Sequence, residues 1–296
     1  MSELDIPRRV RIGMPHLDAG GLSENWLLRY AGDLHWEAIT RRLATASHEI
    51  ASDVGERLYP TFVAVRARHQ APLAAVGEND VLEASIEVVP CGRACAHGRF
   101  VAVAGGCRYE LELLTTFAVR EPGGLKMAMP AARLAGRWAA AEVDPPIAAL
   151  ARAARRGEPL RDDFCGPTLD LDGRAPRGRL RYEPSPYADY NGAGLLYFAS
   201  YVTIADTVER RLVAAPAAGD WAVVTSPIRR DVFYYANLPL GEALVVELLS
   251  CEPEADRVRT RVRLRREMDG SRMADVVTER SFVCPGSIAR GASRRA

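Results

Sequence analysis

No run of apolar residues in this 296-residue sequence is long enough to span a bilayer. The opening residues, MSELDIPRRV, lack the apolar core of a secretory signal. These two absences predict a cytoplasmic chain with no membrane partner. Surplus charge is missing as well, since 39 Lys and Arg against 38 Asp and Glu leave a net charge of +1. No global field therefore points to nucleic acid. A strong zinc pattern is also lacking. The six cysteines are Cys91, Cys95, Cys107, Cys165, Cys251 and Cys284, scattered as reduced thiols would be. Cys91, Cys95 and His97 lie close together, but no second ligand pair accompanies them. They read as small buried thiols, and neither a metal nor an organic cofactor is expected.

What is present is ordinary in bulk and unusual in order. The chain is 48% hydrophobic and 26% charged, which suits a soluble protein of two modest domains or one large one. It also repeats itself. DAGGLSENWLLRYAGD (18–33) aligns without gaps on NGAGLLYFASYVTIAD (191–206), so that Gly21 meets Gly194, Leu22 meets Leu195 and Asp33 meets Asp206. Each copy then reaches a double arginine and a leucine, Arg41-Arg42-Leu43 and Arg210-Arg211-Leu212. Further on, APLAAVGENDVLEASIEVV (71–89) echoes NLPLGEALVVELLS (237–250).

Each half reads as one helix followed by antiparallel strands. Ser23 is the expected N-cap of the first helix, with Glu24 in its first turn against the positive helix end. Trp26, Leu27, Tyr30, Ala31 and Leu34 recur at helical spacing, as do Tyr197, Tyr201, Ile204 and Val208 in the second half. Leu82, Ala84, Ile86 and Val88 alternate with Glu83, Ser85 and Glu87, the period of a half-buried strand. A long apolar helix wrapped by a curved antiparallel sheet is a hot-dog unit. The predicted fold is an α+β double hot-dog whose two sheets join edge to edge, which removes one exposed edge from each. The expected division is an N-terminal unit over 1–130, a linker over 131–185 and a C-terminal unit with a basic tail over 186–296. Within the linker, Asp144 as N-cap, Pro145 at the first helical position and Gly157 as terminator predict one surface helix. The chain is expected to act as a monomeric pseudo-dimer or as a homodimer.

In such a fold the seam between units suits an acyl thioester. A helix N-terminus offers free backbone N–H groups to a carbonyl or enolate oxygen, and the apolar seam takes the acyl chain. Gly20 and Gly21 stand just before the first helix, where backbone could approach a ligand closely. The second copy, YADYNGAGLLYFASY, resembles the signature of the 4-hydroxybenzoyl-CoA thioesterase-like hot-dog proteins. There, however, Asn191 aligns with Asp18, and an amide cannot act as a general base.

The first half carries a more particular resemblance. GMPHLDAGGLSENWLLRYAGDLHW (13–36) with GERLYPTF (55–62) resembles the LnmK-like bifunctional acyltransferase/decarboxylases of polyketide biosynthesis. The resemblance implies a double hot-dog enzyme that takes a malonyl-type acyl-CoA, with methylmalonyl-CoA as the expected substrate. It implies loss of carbon dioxide, an acyl-tyrosine intermediate, and transfer to the phosphopantetheine thiol of an acyl carrier protein. The tyrosine that matches is Tyr59, and Arg57 is a nearby cation able to activate the phenol.

Other residues invite two readings each. His16 and Asp18 could orient substrate or could cap their loop. Asn25 could donate to substrate or lie on a helix surface, and Thr61 shares a strand face with Tyr59. His35 is read as core packing with one ring nitrogen satisfied. The arginines of RVRTRVRLRR (257–266) are read as the solvated face of a strand, with a strip for CoA phosphates or a carrier protein as the sharper reading. Three other functions compete. A thioesterase would need a loop carboxylate such as Asp18. A hot-dog dehydratase would need a histidine–acid pair across the seam, and no histidine follows His97. A non-catalytic acyl-CoA-binding protein would be indifferent to loss of the Tyr59 hydroxyl.

Overall fold

A computed structural model of the chain describes residues 7–52, 54–91, 95–120, 127–128, 144–162, 166–169, 175–213 and 220–283. The readings made for Cys165, Cys284, the basic tail and the 130/131 boundary lie outside these residues.

In chain order the strands begin with β1 (Arg8–Arg11), β2 (Leu17–Asp18), β3 (Gly21–Leu22) and β4 (Tyr59–His69). There follow β5 (Val81–Cys91), β6 (Cys95–Ala104), β7 (Cys107–Arg120), β8 (Met127–Ala128), β9 (Leu160–Asp162) and β10 (Gly166–Leu169). The last are β11 (Gly178–Tyr182), β12 (Thr225–Tyr234), β13 (Leu244–Pro253), β14 (Arg257–Arg266) and β15 (Arg272–Phe282). The helices are α1 (Glu24–Leu43), α2 (Pro146–Arg156), α3 (Phe198–Leu212) and α4 (Trp221–Val224).

One antiparallel sheet runs through both halves in the order β1-β5-β6-β7-β4-β12-β15-β14-β13-β11. Read outward from its middle, each half presents the same series of strands. The fold is a double hot-dog, and the β4–β12 pairing is the edge-to-edge joint. The inner face of each half wraps a helix. Leu27, Ala31, Leu34 and Ile39 of α1 are buried there, as are Tyr201, Ile204 and Val208 of α3. The Ser23 hydroxyl caps α1 by accepting from the Trp26 N–H, and Arg41 and Arg42 close its last turn, where cations suit the helix dipole.

Four readings from the sequence need correction. Gly178–Tyr182 lies in the segment read as linker, yet it is β11, paired with β13 as an outer strand of the C-terminal sheet. The N-cap of α2 is Pro145, and Pro146 fills the first helical position; the Asp144 carboxylate instead accepts from Arg152 at 2.8 Å. Nor is α2 only a surface helix. Ile147, Ala148, Ala151 and Ala154 are buried against Ala64, Leu114, Phe233 and Val277 on the outer face of the sheet, straddling the joint. The arginines of β14 are not a solvated face either. Arg263 is 3% exposed and pairs with Asp275 at 2.6 Å; Arg259 pairs with Glu279 at 3.1 Å and Arg265 with Glu247 at 3.0 Å. Glu247 and Asp275 stand opposite Arg263 in register, and Glu252 and Glu279 opposite Arg259, so these charges are matched within the sheet.

Candidate active site at the seam

The two helices cross antiparallel. Asn25 of α1 donates to the Ala199 carbonyl at 3.1 Å and to Thr203 Oγ1 at 2.8 Å, while Gly32 lies against the Phe198 ring. Each helix therefore brings its N-terminus to the flank of the other, and two cavities result.

The first has a volume of about 870 Å³. It forms because the joint opens. Residues Arg68 to Ala64 of β4 pair with Arg229 to Phe233 of β12, and beyond that pair the strands part. Val63 sits at a bulge in the pairing with β7, which bends β4 away. Tyr59, Thr61 and Phe62 line one side of the opening, Tyr234 to Asn237 the other, and the loop Asn191–Phe198 closes the end. That loop is held tightly. Asn191 Oδ1 accepts from the Ala193 and Leu195 N–H groups, and Asn237 bonds both the N–H and the carbonyl of Leu196. The helix it leads into, α3, has no side-chain cap. In its first turn the Ser200 N–H donates to the Tyr197 carbonyl at 2.9 Å, and the Phe198 and Ala199 N–H groups precede any residue able to supply an intrahelical partner.

Tyr59 and Thr61 thus come together in this cavity. The Arg57 guanidinium lies 4.7 Å from the centre of the Tyr59 ring, a cation–π distance. Asp33 also lines the cavity and forms no ion pair among the described residues. His35 lines it too, but is core: it is 1% exposed and bonds Thr115 Oγ1 through Nε2 at 2.9 Å. Burial, with His97 adding repulsion, pushes its pKa down to about 3, so the ring is neutral.

The second cavity, of about 650 Å³, holds Asp18, Gly20, Ser23 and Asn25. The structure does not bring these residues to Tyr59. The Asp18 carboxylate accepts from the Gly20 N–H at 2.8 Å, a local turn bond. Although Asp18 is exposed as a residue, desolvation pushes its carboxyl above the usual range, with Asp206 and Glu24 repelling it. Gly21 serves packing: its φ is +107°, and an added Cβ would lie 2.4 Å from the Ala74 Cα. His16 accepts from the Gly13 N–H at 2.9 Å and packs on Trp26, a loop-capping role. Asn25 has both ends of its amide engaged, since Oδ1 also accepts from Arg29. Gly21 and His16 line neither cavity.

A buried charge network fills the floor of this second cavity. Glu24 accepts from Arg230 at 2.8 Å and Arg230 donates to Asp206 at 2.9 Å. Asp206 and Glu209 both accept from Arg280. Asp33 and Asp206 align in the repeat, yet the first faces an aromatic cavity and the second is tied to two arginines. The strand positions also differ. Counted from the bulges at Val63 and Ile228, Tyr59 of β4 matches Val224, and Thr61 matches Ser226 of β12, which is 2% exposed and accepts from the Leu73 N–H. The sequence reading missed Asn237, Tyr234 and Phe198. The aromatic run FYYAN (233–237) is the signal that points to the first two.

Solved structures share this architecture. A thioesterase described as a putative oleoyl thioesterase from Lactobacillus plantarum superposes with a TM-score of 0.65 at 11% identity, covering 95% of this chain and 97% of its own. An acyl-ACP thioesterase from Bacteroides thetaiotaomicron gives 0.59 at 14% identity, over 96% of this chain and 100% of its own. A 12:0-ACP thioesterase from Umbellularia californica gives 0.61 at 10%, over 96% and 99%. At these identities the likeness is one of fold. No protein-family model matches the sequence, and no curated protein is similar to it.

Proposed function

We propose that the chain is an acyl-thioester enzyme in which Tyr59 accepts the acyl group of a malonyl-type acyl-CoA, with loss of carbon dioxide, and hands it to an acyl carrier protein. The observation that carries this reading is the meeting of Tyr59 with the uncapped N-terminus of α3 in one cavity at the seam. The phenol oxygen attacks the thioester carbonyl. The C–S bond breaks, and the phenol proton leaves with the CoA thiol. The Arg57 guanidinium favours the phenolate form as the proton departs. The α3 N–H groups hold the carbonyl oxygen while negative charge develops on it. They serve the decarboxylation in the same way: the electron pair of the breaking C–C bond passes to that oxygen, carbon dioxide leaves, and the enolate takes a proton at carbon. The carrier thiol then displaces the phenolate, a better leaving group than an alkoxide. Thr61, beside Tyr59 on the strand, is placed to hydrogen-bond the phenol or the substrate.

A thioesterase is the second reading. The three structural neighbours are described as thioesterases. In the Tyr59 cavity the base would be Asp33 rather than Asp18, which belongs to the other cavity.

Intact-mass spectrometry after incubation with methylmalonyl-CoA, without a carrier protein, separates these. A propionyl adduct on the wild type, mapped to the Tyr59 peptide and absent from Tyr59→Phe, is expected. Free acid and CoA produced equally by both proteins, with no adduct, would replace the acyl-tyrosine reading by the thioesterase. Binding without turnover in either protein would leave a non-catalytic acyl-CoA-binding protein.

A further inference from the structure

The inner end of the Tyr59 cavity is closed by aromatic rings. Phe62 of β4 and Phe198 of α3 are stacked, with ring centres 3.7 Å apart and planes at 17°. One ring comes from each unit. Both rest on Gly32 of α1, where an added Cβ would lie 2.8 Å from Phe198 Cε1 and 3.5 Å from Phe62 Cζ. The stack is braced from its sides. His35 lies 6.1 Å from Phe62, Tyr197 packs edge-on to Phe198 at 4.9 Å, and the Tyr234 hydroxyl donates to the Phe198 carbonyl at 3.0 Å. Behind the rings the helices close on each other through the Asn25 bonds to Ala199 and Thr203.

The opposite end is open, for Arg57 beside Tyr59 is exposed. Three strand steps, about 10 Å, separate Tyr59 from Phe62 along β4. Tyr59 and the two rings line the same cavity, so an acyl tail that runs inward from Tyr59 meets the stack within a short length. We infer that the Phe62–Phe198 stack is the floor of the cavity and limits the acyl group to a short chain. The inference rests on the reading that this cavity takes an acyl thioester.

Calorimetric titration of the full chain with S-alkyl-CoA thioethers from ethyl to dodecyl tests it without turnover. In the wild type, affinity should rise about fourfold per methylene as far as butyl and then stop rising or fall. In Phe198→Ala the rise should continue to octyl. Phe62→Leu keeps the test open if Phe198→Ala fails to fold. Gly32→Ala, which drives the rings into the cavity, should shift the limit toward ethyl. A folded Phe198→Ala with the wild-type length profile overturns the floor, as does a wild type whose affinity climbs without a break to dodecyl. Thioethers that bind no better than CoA itself at any length overturn the acyl-site reading, and the floor with it.

Discussion

Glu24 and Arg230 stand 206 positions apart in the chain, yet their side chains meet at 2.8 Å with both buried. This ion pair ties α1 of the first unit to β12 of the second, beside the joint. Removing one member of a buried pair leaves the other charge uncompensated, a cost of about 3–5 kcal/mol. Asp206 remains as a partner for Arg230, so Glu24→Gln should fall near the lower figure. The shift in the urea midpoint at neutral pH measures it.

The same carboxylate should govern acid stability. Burial alone would raise its pKa, but the Arg230 charge, with help from His69, holds it down to about 2, below the ordinary 4.5. A depressed acid stabilises fully above its unfolded value and loses that contribution as protons bind. The gap in unfolding free energy between wild type and Glu24→Gln should therefore shrink as pH falls from about 4.5 to about 2.

His35 should act in a higher window and for the opposite chemical reason. Burial lowers its pKa to about 3 from the ordinary 6.5. Between those values the unfolded chain takes up a proton that the folded protein refuses, so stability falls as pH drops below about 6.5. His35→Gln, which keeps a partner for Thr115, should flatten this part of a melting-temperature profile.

Gly21 and Gly55 separate two costs of a side chain. Both have positive φ, +107° and +85°, but only Gly21 has backbone within reach of an added Cβ. Gly55→Ala should destabilise by about 1 kcal/mol from the backbone alone. Gly21→Ala should cost about 3 kcal/mol, because the hairpin must also move off Ala74. Equal losses in chemical denaturation would contradict the close contact.

Arg57 is exposed and touches the Tyr59 ring, so its loss should spare stability. On the proposed chemistry, Arg57→Ala should slow acyl-adduct formation roughly tenfold to a hundredfold, with Arg57→Lys intermediate. Rapid-quench mass spectrometry would read the rates.

Much of this architecture was legible in the sequence. The gapless repeat at 18–33 and 191–206 marks both helices, and the period-two run Leu82 to Val88 marks β5 and its buried face. These are local signals, carried by neighbours a few positions apart. The edge-to-edge joint followed from the need to cover strand edges. What stayed hidden depends on which distant residues meet. Nothing in DAGGLSEN says that the antiparallel crossing of the helices sends it away from Tyr59, or that Asn191–Phe198 takes its place there. The arginines of β14 looked solvated because their acids lie on other strands. Glu24 read only as a first-turn acid against the positive helix end because Arg230 is 206 residues away.

The differences between the two seams also have a stoichiometric meaning. A symmetric pair of units would offer two equivalent catalytic positions. Here, counted from the joint and the bulge that both strands share, Val224 stands where β4 has Tyr59, and the Arg230 network occupies the matching interior. On the proposed chemistry the burst amplitude saturates at one equivalent per polypeptide, so the duplicated chain works as half-of-sites by construction.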